Sequence, residues 1–330
     1  MATQIDRLTP VPQIVDIRHL SGRELDPLLL EEAIEWNLEL DCDFSRFAGR
    51  IRKLADAGNL RGAALLHGGE VAGYGCTVLE DHKGLIADVY VRPDWRDGHG
   101  EATLFRVLLY ALIGVAGVRR VESQLMLLSE DSARALGREP FVRLFERLLM
   151  KLDADTPLPP GRASTERRFR IDPWNDRHHD AAATALSLAH AEHIDSQIND
   201  QYGTLDGARC LATNIVRFPG FSPPASSIAF DSTTGSVAGM VLSSFVARDV
   251  AEITELCVTP DARGAGLGYE VLRQSIGTLR GEGAKRISLA VTAANEDAVR
   301  LYIRCGFHMA RRFYAYVWEN LDPRRPPAVD

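Results

Sequence analysis

Apolar residues recur along the chain with a period of two in some segments and of 3.6 in others, which predicts alternating strands and helices. In the first half the predicted order is a strand, two helices, three strands, a helix, a strand, a helix and paired strands, and the second half repeats much of it. In the first half the bounded segments are strand 14–18, helices 28–38 and 44–57, and strands 63–67 and 86–91. In the second half they are strand 168–171, helix 181–194, strands 227–230, 237–247 and 251–258, a helix ending near residue 280, strand 286–291, helix 296–304 and two final strands.

The chain divides near its middle. The run Asp153–Thr165 contains three prolines and a glycine among small polar residues, which interrupt helices and strands. It predicts a linker over 153–164 between domains 1–152 and 165–330. Residues 91–96 match residues 258–263 at a spacing of 167, and 130–134 match 296–300 at a spacing of 166. The same long period at both ends of a mixed pattern favours duplication of a whole domain.

Composition narrows the class of protein. The chain is 45% hydrophobic and 25% charged, as in soluble globular proteins, and its formal net charge of −7 disfavours nucleic acid as a partner. The longest apolar run, 104–118, contains Arg106 and is shorter than the roughly 20 residues that a membrane span needs. The N-terminus lacks the pattern of a secretory signal. We therefore expect no membrane association and a cytoplasmic protein.

Cysteine and histidine usage gives no sign of a disulfide framework or a metal site. The five cysteines are scattered and form no C-x-x-C pair, which favours free buried thiols. His190 and His193 lie three residues apart on one predicted helix, but neither an H-E-x-x-H pattern nor a third ligand accompanies them. We predict no metal, and capping or solvated roles for these histidines.

A glycine-rich loop joins the strand ending at Val258 to the next helix. The loop reads Arg263-Gly264-Ala265-Gly266-Leu267-Gly268. A helix that begins this way presents free N–H groups to a phosphate or pyrophosphate, although a plain strand-to-helix turn would have the same glycines. No G-x-x-x-x-G-K-[ST] motif is present, and Tyr269 stands where a dinucleotide loop needs glycine, so kinase and dehydrogenase functions are disfavoured.

A second motif lies on the helix that begins after Asn295. Asn295 is a good N-cap, and Ala298, Leu301 and Tyr302 share one face of the helix. The capped helix therefore directs the Tyr302 side chain to the same side as Ala298 and Leu301. Burial of a tyrosine in the core with its hydroxyl on the backbone is the alternative.

These two motifs resemble those of the GCN5-related N-acetyltransferases (GNAT). The segment Arg263-x-x-Gly266-x-Gly268 after Leu256-Cys257-Val258 is similar to the family's acyl-CoA motif, and 295–302 followed by Gly306-Phe307 is similar to its tyrosine helix. The resemblance covers nearly all of 165–320, with a weaker copy in the first 152 residues. The layout is similar to that of mycothiol-synthase-like GNAT proteins. It implies two tandem α/β domains, each with a mostly antiparallel mixed sheet flanked by helices and a central splay.

The resemblance also implies an activity: transfer of an acetyl or other acyl group from acetyl-CoA to a small-molecule or peptide amine. Tyr302 would protonate the departing CoA thiolate. The residues implied in acyl-CoA binding are Leu256, Cys257, Val258, Arg263, Gly264, Ala265, Gly266, Leu267, Gly268, Asn295, Ala298 and Tyr302.

The general base is harder to assign from the sequence. We predict Glu255, because Glu252 projects from the opposite face of a regular strand. A solvent-facing Glu255 with a water relay is the alternative. A nucleophilic Cys257 is set aside, since its neighbours in sequence supply no base.

The first domain lacks parts of both motifs. With Arg96 over Arg263, His99 and Glu101 replace the two glycines, whereas a shift by one recovers Gly98 and Gly100 but places Trp95 over the arginine. Asp97 and Glu101 would repel a pyrophosphate. Leu136 replaces Tyr302, and Ser129 replaces Asn295. We therefore expect one acyl-CoA per chain.

Two other functions stay open on sequence alone: an acyl-CoA-binding or sensing protein without catalysis, and a structural protein in which both copies are inactive. The segments 195–207 and 214–224 are predicted to select the acceptor, because variable helices and loops do so in such scaffolds.

Overall fold

The computed structural model describes residues 12–80, 82–96, 100–139, 142–158, 160–161 and 163–319. The chain folds into two compact units. The first comprises Met1–Leu144 together with Tyr314–Asp330, and the second comprises Phe145–Phe313. Among the described residues, no helix combines the length and the apolar character needed to cross a membrane.

The first unit is a mixed sheet with helices on both faces. Its elements are β1 (Gln13–Asp16), α1 (Gly22–Leu40), α2 (Ser45–Asp56), β2 (Gly62–His67), β3 (Glu70–Glu80), β4 (Lys83–Val91), α3 (Gly100–Ile113), β5 (Arg120–Leu125), α4 (Glu130–Leu136) and the end of β12 (His308–Glu319). Neighbouring strands pair in the order β1, β2, β3, β4, β5, β12, and only β4 and β5 run parallel. One core lies beneath α1 and α2, and another beneath α3.

The second unit repeats this plan. Its elements are β6 (Val142–Asp153), α5 (Ala163–Arg168), β7 (Phe169–Pro173), α6 (His179–His190), α7 (Ile194–Ile198), α8 (Leu205–Val216), β8 (Ser227–Asp231), β9 (Val237–Ala247), β10 (Val250–Val258), α9 (Leu267–Gly281), β11 (Arg286–Thr292) and α10 (Glu296–Arg304). The strands pair in the order β6, β11, β10, β9, β8, β7, with β10 and β11 parallel. One core lies beneath α9 and α10, the other beneath α6 and α8.

Each sheet splays at its parallel pair. In the second unit β10 pairs with β11 only over Val250–Glu252 and Arg286–Ser288, so the rest of that β10 edge makes no ladder with β11. In the first unit β4 pairs with β5 only up to Ile86 and Ser123. The predicted fold, two tandem copies of a helix-flanked mixed sheet with a central splay, is confirmed.

A β-bulge in β10 changes which side chains face each core. Ile253 and Glu255 pair with consecutive residues of β9, so Thr254 is one extra residue in the ladder. Ahead of it Ile253 packs beneath α9, whereas Cys257 packs beneath α6 and α8. Odd-numbered residues therefore move to the other face of the sheet at the bulge.

Some predicted elements differ from the structure. The final strand pairs of both halves are wrong, because each is one long strand, β6 or β12. Each long strand is held by pairing with a strand that lies far away in sequence. β6 pairs with β11, and the end of β12 pairs with β5. The short helix α5 begins inside the proline-rich segment, and α8 was not predicted.

All five cysteines are free thiols, as predicted, and Cys76, Cys257 and Cys305 are buried. Cys210 is exposed and Cys42 is partly exposed, so burial was wrongly predicted for Cys210.

Candidate active site

A cavity of about 600 Å³ opens in the second unit at the splay between β10 and β11. Every residue predicted for acyl-CoA binding or catalysis lines it except Ala265. Those residues come from β10, the glycine-rich loop and α10. The strand splay, the start of α9 and the face of α10 therefore meet around one space.

The loop before α9 has a backbone suited to holding an anion. Gly264 and Gly266 have φ angles of 75° and 82°, in the left-handed region that side chains with a Cβ seldom adopt. Within the described part of the chain, the backbone amides of residues 264–268 donate no hydrogen bond. Unused N–H groups at the positive end of a helix are the donors that a phosphate requires.

Arg263 lines the cavity, but its side chain also fastens the backbone. Its Nη2 donates to the carbonyl of Ala189 at 2.7 Å, and its Nε donates to the carbonyl of Val258 at 3.3 Å. The guanidinium thus ties the end of β10 to the end of α6. This contact positions the loop that follows.

Gly268 allows α9 to approach its neighbours closely. A Cβ at this position would lie 3.3 Å from Val258 Cγ2 and 3.5 Å from Leu301 Cδ2. A larger side chain would push α9 away from β10 and α10.

Tyr302 projects from α10 with its ring in the core. Asn295 caps this helix, as predicted, by accepting a hydrogen bond from the amide of Ala298 at 3.3 Å. The ring packs edge-on against Phe307, with ring centroids 5.9 Å apart. Among the described residues the Tyr302 hydroxyl has no hydrogen-bond partner, so its proton is available to a ligand in the cavity. Burial raises the pKa of Tyr302, which keeps the phenol protonated at neutral pH.

Glu255 reaches the same cavity from β10. The hydroxyl of Tyr202 donates to Glu255 Oε2 at 2.7 Å, and His190 Nε2 lies 3.9 Å from Oε1. Burial raises the pKa of Glu255, although His190 and the Tyr202 hydrogen bond oppose this effect. A buried carboxylate with a raised pKa is a stronger base than an exposed one.

The expectation that Glu252 and Glu255 project from opposite faces is wrong. The bulge at Thr254 inserts one residue between them, so an odd separation in sequence leaves both on the side of α6 and α8. Glu252 nevertheless does not line the cavity. Burial raises its pKa to about 7.

A polar network that no sequence motif indicated also lines the cavity. Asp195 accepts a hydrogen bond from the hydroxyl of Thr292, and its Oδ1 lies 3.2 Å from Arg147 Nη1. Burial opposes ionisation of Asp195, but a His193 hydrogen bond and the Arg147 charge lower its pKa to about 2. No local motif signals this network, because Arg147 lies on β6 and Thr292 on β11. The segment 195–207 supplies Asp195 and Tyr202 to the cavity, whereas no residue of 214–224 lines it.

His190, His193 and Asp195 place atoms of the kind that bind metals within 4.8 Å of one another. Other contacts already use these groups. His190 Nδ1 lies 3.0 Å from the carbonyl of Leu186, and His193 Nδ1 accepts the amide of Asp195 at 3.3 Å. The Arg147 guanidinium beside Asp195 repels a cation. The predicted capping role holds for His193, which caps α7.

Cys257 lies in the cavity wall as a buried thiol. Burial raises its pKa well above the usual range, and the negative charge of Glu255 adds to the effect. A thiol of this kind is a poor nucleophile.

In the first unit, the counterparts of these residues make different contacts. Arg96 Nε donates to the carbonyl of Val91 at 2.6 Å, as Arg263 does to that of Val258, which supports the alignment at a spacing of 167. Glu101 then stands at the position of Gly268; it is 2% exposed and accepts a hydrogen bond from the amide of Ser129. Asp97, Gly98 and His99 lie outside the described residues.

The tyrosine position of the first unit holds Leu136, which is fully buried. Ser129 caps α4 as Asn295 caps α10, accepting from the amide of Ser132. The first unit therefore has the capped helix but lacks a tyrosine hydroxyl at this position.

Comparisons with known proteins agree with this architecture. Residues 197–307 match the family described as "Acetyltransferase (GNAT) family". A mycothiol acetyltransferase of Streptomyces griseus is 31% identical over 250 residues, covering 72% of this chain and 74% of that protein. The crystal structure of a GCN5-related N-acetyltransferase from Sphaerobacter thermophilus matches with a TM-score of 0.67 at 17% identity, covering 99% of both chains. A tandem GNAT protein from the clavulanic acid biosynthesis pathway matches with a TM-score of 0.57 at 15% identity, over 97% of this chain and 100% of that one.

Proposed function

The chain belongs to the GNAT family of acetyltransferases and transfers an acyl group from acetyl-CoA to an amine, and we propose that its second unit carries out this reaction. One observation supports placing the reaction in the second unit. A single cavity joins the loop residues Gly264 and 266–268, whose amides donate no hydrogen bond, the part of β10 that is not paired with β11, Glu255 and Tyr302. A binding protein without catalysis would not need the acid and the base in the same space.

The residues around the cavity suit acetyl-CoA. The amides of 264–268 would hold the pyrophosphate at the start of α9, where the helix dipole favours negative charge. Residues 256–258 of β10 would offer backbone groups to the pantetheine arm, in the manner of an added strand. Acetyl-CoA supplies a thioester, whose carbonyl carbon reacts directly with a neutral amine.

Glu255 would accept a proton from the incoming ammonium and so release the lone pair that forms the C–N bond. Tyr202 holds this carboxylate in place through its hydroxyl, at 2.7 Å. A backbone N–H of the β10 edge would stabilise the negative charge on the carbonyl oxygen.

Tyr302 would donate its hydroxyl proton to the sulfur as the C–S bond breaks. A phenol with a raised pKa is a weak acid, but a thiolate in the same dry cavity is destabilised by the same loss of water. The pKa values of the phenol and of the CoA thiol therefore both rise in the cavity, and the proton transfer stays feasible there. The nitrogen sheds its second proton as the tetrahedral intermediate collapses, which restores the Tyr302 phenol, and Glu255 passes its proton to solvent. The products are an amide, free CoA thiol and one proton.

We propose a small-molecule amine as the acceptor, in keeping with relatives that are named mycothiol acetyltransferases. Arg147 and Asp195 line the same cavity as Glu255 and place one positive and one negative group in it. Such a pair suits a polar acceptor. The proposal includes no metal.

The function is tested by amine-dependent release of CoA thiol from acetyl-CoA. The acceptor of mycothiol acetyltransferases is the first amine to test, followed by a panel of amino sugars, polyamines and peptides. Thiol release that requires both the amine and the chain, with the acetylated amine identified by mass spectrometry, supports the proposal. Binding of acetyl-CoA without acetylation of any amine would favour the non-catalytic alternative.

We expect Glu255→Gln to lower kcat/KM for the amine by roughly 10²-fold, within the range of general base catalysis. In the unsubstituted protein kcat/KM should fall as the pH decreases through the raised pKa of Glu255, because the protonated carboxyl cannot accept a proton. The variant should lose this acidic limb. Steady-state rates across pH measure both effects.

Glu252→Gln is the matched control, since Glu252 lies on the same strand face outside the cavity. Its rates should stay within about twofold of the unsubstituted protein. An equal loss in both variants would remove Glu255 from the base role.

A further inference from the structure

The first unit contains a cavity of about 670 Å³ that the proposed reaction does not use. It lies at the splay between β4 and β5, and its walls come from α1, α2, β3, β4 and residues 59–61 and 124–127. Residues of the α3 start do not line it. The cavity therefore corresponds to the acceptor side of the second unit's active site, without the acyl-CoA side.

One carboxylate of this cavity matches the proposed base. Asp88 precedes Glu255 by 167 residues, the spacing that separates Arg96 from Arg263. The β-bulge is also repeated: Ala87 is the extra residue in β4, as Thr254 is in β10. The bulge directs Asp88 to the side of α1 and α2, where the cavity lies.

Asp88, which is partly buried, and the fully buried Glu32 both contact the hydroxyl of one tyrosine. Tyr74 Oη lies 2.6 Å from Glu32 Oε2 and 2.8 Å from Asp88 Oδ2. A phenol has one proton to donate, so one of the two carboxyls must itself be protonated. Burial, followed by the charge of Asp88, raises the pKa of Glu32 well above its usual range. Burial also raises the pKa of Asp88, to about 6, which is still below neutral pH. At pH 7 Glu32 is thus the neutral member, and Asp88 carries the negative charge.

That charge has no protein cation beside it. Within the described ranges, no lysine or arginine forms an ion pair with Asp88. A partly buried carboxylate without a cation is costly, and a cationic ligand would offset that cost.

Much of the rest of the wall is aromatic and aliphatic, and the exposed Arg50 and Arg61 also line the cavity. Trp36 stacks on Phe44 with ring centroids 5.2 Å apart, and Phe44 stacks on Phe47 at 5.9 Å. Trp36 Nε1 donates to Glu32 Oε1 at 3.1 Å, so the aromatic wall adjoins the acid pair. Phe47, at the mouth, is 48% exposed. An apolar body would find van der Waals contact here.

We propose that the first unit is a non-catalytic binding site for a primary amine carried on an aromatic or aliphatic body. The ammonium contacts Asp88, and the body lies along the wall formed by Trp36, Phe44 and Phe47. Acetylation does not occur there, because Glu101 occupies the position of Gly268 and Leu136 that of Tyr302. The first copy has thus kept amine recognition and lost the acyl donor site. This assignment does not depend on the activity of the second unit.

The test is calorimetric titration of the full chain with 2-phenylethylamine at neutral pH, with 2-phenylethanol as the uncharged analogue. We expect saturable binding of the amine, and binding of the alcohol weaker by about tenfold or more. Asp88→Asn should weaken amine binding by a similar factor. Glu255→Gln, the matched change in the second unit, should leave this affinity unchanged.

Phe47→Ala provides a second variant if Asp88→Asn fails to fold, because Phe47 is half-exposed at the cavity mouth. It should weaken binding of 2-phenylethylamine by about fivefold or more, while Leu38→Ala, an exposed site on α1 outside the cavity, should not. The proposal is overturned if the amine shows no saturable binding at millimolar concentrations, if the alcohol binds equally well, or if Glu255→Gln rather than Asp88→Asn removes the binding.

Discussion

Gly266→Val is expected to remove measurable binding of acetyl-CoA from a folded protein. Gly266 adopts a left-handed φ of 82° at the start of α9, next to the amides proposed to hold the pyrophosphate. A β-branched residue is strained in that conformation by about 1–2 kcal/mol or more, so the loop must rearrange. Its two γ-methyl groups also occupy space needed by the phosphates. Calorimetric titration with acetyl-CoA measures the loss.

Gly277→Val is the matched control, because Gly277 lies on the exposed side of the same helix and a Cβ there meets no atom within 4 Å. It should bind acetyl-CoA with unchanged affinity. Circular dichroism and thermal unfolding establish that both variants are folded. Undiminished affinity in a folded Gly266→Val protein would refute the assignment of the loop.

Tyr302→Phe should lower kcat by roughly 10²-fold or more, because general acid catalysis contributes about 10²–10⁴-fold. The affinity for acetyl-CoA should change by no more than about threefold, because the phenyl ring keeps its packing against Phe307. The hydroxyl has no hydrogen bond to lose within the described chain, so its removal should not destabilise the fold. Steady-state rates combined with direct titration separate the two effects.

Tyr316→Phe serves as the control for Tyr302→Phe. Tyr316 is a buried tyrosine of the first unit whose hydroxyl also lacks a partner in the described structure. Its rates should match those of the unsubstituted protein. If Tyr302→Phe retains full turnover, solvent must protonate the thiolate and Tyr302 is a core residue.

The parts of the site that were predictable from sequence are those in which structure depends on neighbours along the chain. The turn into α9 needs glycine at left-handed positions, and α10 needs a cap at Asn295. Both requirements leave a local pattern of residues. The bounds of the capped helix α10 were accordingly predicted to the residue. The bounds of β9, a strand with a clear apolar pattern, were also predicted to the residue.

The parts that were not predictable depend on residues far apart in sequence. The bulge at Thr254 leaves no mark in the alternation of β10, yet it decides that Glu252 and Glu255 share a face. The contact of Asp195 with Arg147 requires knowledge that β6 pairs with β11. The long strands β6 and β12 were predicted as pairs, because the partners that each strand meets lie in the other half of the sequence.

Comparison of the two copies within one chain separates structural from functional residues. Arg96 and Arg263 both bind the carbonyl at the end of the preceding strand, so this contact belongs to the fold. Tyr302 and Gly268 have no counterpart in the first unit, where Leu136 and Glu101 stand instead. Residues found in the second copy alone are therefore those to which we assign the acyl-CoA chemistry.

The number of acetyl-CoA molecules bound per chain tests most directly the claim that one copy of the fold holds the acyl donor site. In the first unit, Glu101 is buried against Ser129 at the position that Gly268 keeps open in the second. Isothermal titration calorimetry of the intact chain should therefore give a stoichiometry near one, and Gly266→Val should abolish that single site. A stoichiometry of two, or a site of comparable affinity that persists in Gly266→Val, would show that the first unit also holds an acyl donor site.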